Sequence, residues 1–194
     1  GQDINVETAA TNVAFTATTA ADATVNISEV TAGTDVSITG TANGDISADT
    51  AAGTLTVGAG GITSNSGDVS LTGVGGGVTV TGAVTATGND VTLSAATTIT
   101  GTGLVTSDLV TATATTGSVS LNTAVARADL TAGTSITVTE ADSIDLIDVD
   151  TTNGNVSVTT TAGSITATDV NTATGNNNIT LNAGGAGSDI TVVS

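Results

Sequence analysis

The side chains that could do chemistry here are oxygen donors. The 194-residue chain carries 18 Asp and Glu against one basic residue, Arg127, for a formal charge of −17. It has no His, Cys, Met, Trp, Tyr or Pro, and its one aromatic residue is Phe15. Without Cys or His there is no zinc, haem or iron–sulfur ligand set and no Ser–His–Asp or Cys–His nucleophile. Carboxylates remain, and they serve two kinds of chemistry: paired acid–base hydrolysis and coordination of a hard cation. Glycoside hydrolysis is disfavoured, because one Phe and one Arg cannot build a sugar platform or hold an anionic substrate. The chain therefore reads as non-catalytic.

The densest acidic stretch is Glu140, Asp142, Asp145, Asp148 and Asp150, followed by Asn153-Gly154. Ca²⁺ prefers oxygen ligands and would relieve their mutual repulsion. On a strand, alternate residues share a face, so Asp148 and Asp150 converge in this reading. Asp145, Asp148, Asp150 and Asn153 are thus candidate Ca²⁺ ligands, against the plainer reading of a solvated edge. About ten acids occupy one phase, just before an aliphatic residue: Asp3, Asp35, Asp45, Asp68, Asp90, Asp108, Asp129, Asp148, Asp169 and Asp189. Asp, Asn and Ser all bond nearby backbone amides at turns, which accounts for that phase without a metal. The negative charge excludes a nucleic-acid partner and opposes anionic lipid. No apolar run is long enough to cross a bilayer as a helix. The absence of Met at position 1 and of a basic, apolar leader points to a processed product or an excised segment.

These residues are positioned by a repeat. A turn residue, an aliphatic, Ser or Thr and a second aliphatic recur from end to end. Asp35-Val36-Ser37-Ile38, Asp68-Val69-Ser70-Leu71, Ser118-Val119-Ser120-Leu121, Asn155-Val156-Ser157-Val158 and Asp189-Ile190-Thr191-Val192 are examples. Period-two alternation rich in Val, Ile and Thr marks short strands with one buried face. Val69, Val78 and Val84 lead to Val91, and Val156, Ile165 and Val170 lead to Ile179. Three short strands per cycle of roughly 20–23 residues describe one coil of an all-β parallel β-solenoid. The whole chain, 1–194, is expected to form a single solenoid of about nine coils, roughly 40 Å long, with 1–24 less regular. The longer interval from Val91 to Val119 reads as a loop protruding from a corner. Thr-x-Thr units at Thr79–Thr81, Thr85–Thr87, Thr111–Thr113 and Thr166–Thr168 suggest outward Thr ladders, as an ice-binding surface would need. Ser, Asn and Asp interrupt them, so no continuous face is predicted.

The iterated Gly-(Asp/Ser/Asn)-(Val/Ile)-(Ser/Thr)-(Leu/Val/Ala)-(Thr/Asn) units carry a resemblance. They stand at Gly67–Thr72, Gly117–Asn122, Gly154–Thr159 and Gly163–Thr168. The chain resembles the repeats of filamentous-haemagglutinin-like exoproteins and related bacterial β-strand-repeat surface proteins. That resemblance implies a right-handed β-helix, export to the cell exterior or surface, and a role as adhesin, stalk or fibre.

The strong strand form opens and closes the chain, at Asp3-Ile4-Asn5-Val6 and Asp189-Ile190-Thr191-Val192, with no obvious cap. Exposed end coils are ready-made pairing edges. Asp3, Ile4, Val6, Ile190 and Val192 are therefore expected to carry assembly, with Phe15 plugging the first coil. The expected partners are copies of the same chain end to end, or continuing repeats of a longer parent.

Overall fold

The computed structural model describes residues 3–31 and 33–193. Among them are 19 strands in one continuous parallel array and no helix. The molecule is a parallel β-solenoid of about nine coils, each strand pairing with its counterpart in the next coil. Val69 pairs with Ile46 on one side and Val91 on the other. Most side-chain hydrogen bonds between coils span 19 to 25 residues, the length of one turn.

Three columns of strands make three faces. Face 1 begins with Ile4–Thr8, Val25–Glu29, Ile46–Thr50, Val69–Gly73 and Val91–Ala95. It continues through the ends of Ile99–Ala114, Val119–Ala132 and Ile144–Thr151 to Val170–Thr172. Face 2 contains the starts of Val36–Ala42, Leu55–Ser64, Ile99–Ala114 and Val119–Ala132, together with Val78–Val80, Ile136–Glu140, Val156–Thr160 and Ile179–Ala183. Face 3 includes the later part of Asn12–Ala17, then Val84–Ala86, Ile165–Ala167 and Ile190–Val192. Within a column the inward residues stack aliphatic on aliphatic. Leu55, Val78 and Ile99 are fully buried in face 2, and Ile46, Val69 and Val91 in face 1. Small and medium side chains fill this narrow interior, which explains the lack of aromatics.

The interval from Val91 to Val119 is no corner loop. Val91 pairs with Val110 on face 1, whereas Val119 pairs with Ile99 on face 2. The strongest strand motif changes face there, and the coil keeps its length. A bulge lies between Ala128 and Asp129 in the pairing with Leu146 and Asp148, and it turns Ile147 outward.

Glycines let the backbones of successive coils meet at the corners. A Cβ on Gly53 would lie 1.8 Å from the Thr34 carbonyl oxygen, and one on Gly101 would lie 2.0 Å from that of Val80.

Candidate functional site

The position before the first inward aliphatic does one repeated job. The Asp45 carboxylate accepts a hydrogen bond from the Asp68 amide at 2.9 Å, and Asp68 accepts one from the Asp90 amide at 2.9 Å. Asp3 accepts from the Thr24 amide, and this bond is the main cause that lowers its pKa. Asp35 does the same for Thr54, Asn155 for Asn178, Ser143 for Ser164, and Ser164 for Asp189. An amide at a corner, where the regular ladder lapses, needs an acceptor. Asp, Asn and Ser interchange here because each supplies one. The acceptor reaches across to the next coil, so these are inter-coil bonds and not local turn caps.

The single acidic phase of the sequence resolves onto different parts of the coil. Asp3, Asp45, Asp68, Asp90, Asp148 and Asp169 precede face 1, Asp35 precedes face 2, and Asp189 precedes face 3. Asp108 and Asp129 lie within strands.

Asp148 and Asp150 flank the buried Val149 and share the outer side of face 1. Asp129 is the in-register partner of Asp148 in the preceding coil, and Asp169 precedes Val170 in the next. Partial burial raises the pKa of Asp129 and Asp150, and the neighbouring carboxylates add to the rise. Asp145 stands elsewhere, on face 3, opposite Arg127. Asn153 lies in the exposed turn after Thr151. Among the described residues, no three acidic side chains gather at metal-binding spacing. Arg127 pairs with Asp108 at 2.6 Å, and that bond raises the pKa of the half-exposed guanidinium.

Glu140 is no part of a solvated edge. It ends the strand Ile136–Glu140 pointing inward and is fully buried, stacked between Thr123 and Thr160. Its carboxylate accepts from the amides of Ala141 at 2.8 Å, Asp142 at 3.2 Å and Val125 at 3.2 Å. Burial nevertheless raises its pKa. Glu29 takes the equivalent inward position at the end of Val25–Glu29 and accepts from the Thr31 amide at 2.6 Å.

Other corners are closed by hydroxyls. Thr50 donates to the Gly53 carbonyl at 2.8 Å and Thr151 to that of Gly154 at 2.8 Å, while Thr160 bonds Gly163 in the same way. The Ser64 hydroxyl accepts from the Gly67 amide at 2.9 Å. The recurring Thr/Ser-x-x-Gly signal stands plainly in the sequence, and sequence reasoning passed over it.

The outer side of face 2 differs from the rest. Ser37, Thr56, Thr79, Thr100, Ser120, Thr137, Ser157 and Thr180 stack in register as one unbroken hydroxyl column. No acid interrupts it. Face 3 carries a shorter column of Thr16, Thr41, Thr63, Thr85 and Thr106. The Thr-x-Thr units do not stack on one another, because Thr79 is on face 2, Thr111 on face 1, and Thr85 and Thr166 on face 3.

The expected assembly residues lie in the first and last described coils. Ile4 is partly buried and Val6 is 36% exposed. Phe15 is buried over Gly40, where a Cβ would lie 2.6 Å from its ring. Ile190 and Val192 are 45% and 71% exposed although they stand in core phase. Val192, with Ile179 and Leu181, lines an open depression of about 330 Å³, edged by Ala167, Asp169 and Val170.

The fold defines a class, the parallel β-solenoids. No family model, curated protein or solved structure matches the chain.

Proposed function

We propose that the chain is a non-catalytic structural element of an extracellular bacterial fibre, adhesin stalk or surface filament. Its coils stack head to tail on further copies, or on continuing repeats of a longer parent. The exposed core-phase residues Ile179, Ile190 and Val192 carry this reading. A solenoid adds stability coil by coil, and an uncovered coil offers both apolar surface and unpaired backbone groups. A head-to-tail contact that does not close makes a filament. Electron microscopy of the purified chain tests the reading. Filaments with an axial repeat near 4.8 Å are expected, and uniform short particles at high concentration overturn the self-assembling form.

A second reading, an ice-binding solenoid module, is favoured by the uncharged hydroxyl column on face 2. Thermal hysteresis that is lost on replacing Thr79 and Thr137 by Asp supports it, and its absence in the native chain removes it. The Ca²⁺-dependent version of this module rests on the acidic patch around Asp148. Melting that shifts with chelator is its test.

A further inference from the structure

The chain has two Asn-Gly pairs, Asn43-Gly44 and Asn153-Gly154. Such a pair is chemically labile. The glycine nitrogen, unhindered by a neighbouring Cβ, attacks the Asn side-chain carbonyl. Attack requires a free nucleophilic nitrogen and a side chain free to swing toward it.

The fold withholds both at Asn43. Its Nδ2 donates to the carbonyls of Thr18 at 3.0 Å and Ala20 at 2.7 Å. Its Oδ1 accepts from Asn65 Nδ2 at 2.7 Å. The Gly44 amide donates to the Ala23 carbonyl at 2.9 Å. Nucleophile and electrophile are both held.

Asn153 has none of these restraints. Its side chain is exposed and makes no hydrogen bond among the described residues. The Gly154 amide donates to no backbone carbonyl there, although the flanking Thr152 amide bonds Ala132. In the next coil the neighbour is Gly175, whose missing Cβ would lie 3.6 Å from Asn153 Oδ1.

We propose that Asn153 is a site of spontaneous covalent modification, whereas the fold keeps Asn43 intact. The Gly154 nitrogen bonds to Asn153 Cγ and gives up its proton, the Cγ–Nδ2 bond breaks, and ammonia leaves. Water then opens the resulting succinimide. Opening at one carbonyl leaves an ordinary aspartate in place of the asparagine. Opening at the other gives isoaspartate, in which the main chain runs through the former side chain. Either product adds a carboxylate to the coil that already holds Asp148 and Asp150. The isoaspartyl form also lengthens the corner that Thr151 closes on the Gly154 carbonyl. The site therefore ages one corner, between face 1 and face 2, while its chemical twin persists.

The test uses the native chain, incubated folded at mildly alkaline pH. A protease that cuts before aspartate releases residues 35–44 and 150–168 as separate peptides. The expected result is an NH₂-to-OH mass change in the 150–168 peptide, at least about tenfold faster than in the 35–44 peptide. New cleavage before residue 153 reports aspartate, and resistance at the same mass reports isoaspartate. The Asn153→Ser chain must lose the change. In denaturant the two peptides should convert at similar rates. Equal rates in the folded chain, or an inert Asn153 that reacts only after unfolding, overturn the proposal.

Discussion

The Asp68 amide donates to the Asp45 carboxylate at 2.9 Å, one full coil away along the axis. Residues 23 apart in sequence thus share a hydrogen bond at a corner, and Asp68 repeats the contact with Asp90. The column places like charges above one another, so its acceptor oxygen matters more than its charge. Asp68→Asn keeps an acceptor and is expected to leave stability unchanged or slightly improved. Asp68→Ala removes the acceptor and should cost about 0.5–1.5 kcal/mol. Urea denaturation of the two variants separates these outcomes. An Asn variant as unstable as the Ala variant would show that the charge itself is required.

Glu140 links stability to pH. Its folded pKa lies above the ordinary carboxylate value because it is buried. The folded state therefore retains a proton that the unfolded chain has already lost. The stabilising contribution is complete below the unfolded pKa and fades as pH rises through the folded pKa. Glu140→Gln is expected to flatten this part of the pH profile, read as urea midpoints from acid to neutral pH. Glu140→Ala removes the acceptor of the Val125 and Asp142 amides, while Ala141 keeps the Thr123 carbonyl at 2.9 Å, and it should cost about 1–3 kcal/mol for each amide left unsatisfied.

Two glycines should respond differently to alanine. Gly53 has no room, since its Cβ would meet the Thr34 carbonyl oxygen at 1.8 Å. Gly53→Ala must displace backbone between coils and should cost at least the ~1–3 kcal/mol of an overpacked site. Gly88 has φ +74° and nothing within 4 Å of a new Cβ. Gly88→Ala should cost only the ~1–2 kcal/mol of a left-handed non-glycine residue. Thermal melts of both variants provide the check.

Asp150 has a raised pKa through partial burial and repulsion from Asp148, Asp169 and Asp129. Its charged form is disfavoured in the folded state, so the penalty is absent at low pH and grows as pH rises through the folded pKa. Asp150→Asn should raise the melting temperature at neutral pH and low salt. The gain should shrink with added salt, which screens exposed charges. A gain independent of salt would assign it to desolvation alone.

Much of the fold was legible because a parallel solenoid writes its period into the chain. Most buried aliphatic pairs, such as Val69 and Leu71, carry an alternating hydroxyl between their members. What the spacing could not state was which face each strand occupies. The motif at Val119 is stronger than that at Val110, yet Val110 is the true counterpart of Val91. Glu140 was unreadable for another reason. A glutamate among aspartates looks solvated, and only the corner geometry reveals three amides converging on its carboxylate. The pairing of Asp148 with Asp150 followed from strand alternation. The separation of Asp145 onto face 3 depends on the corner at Ile147, where a bulge interrupts the register.

The in-register columns also make the molecule divisible. Val69 and Val91 occupy the same column, and each follows an aspartate whose amide donates to the aspartate one coil back. Excising residues 69–90 would join Asp68 directly to Val91. The Ile46 strand would then find Val91 where Val69 had been, with Thr92 and Leu93 in place of Ser70 and Leu71. The seam recreates the motif it removes. Genetic loss or gain of a whole turn would shorten or lengthen the rod without disturbing a single rung, so the chain is built like a ruler whose graduations can be recounted.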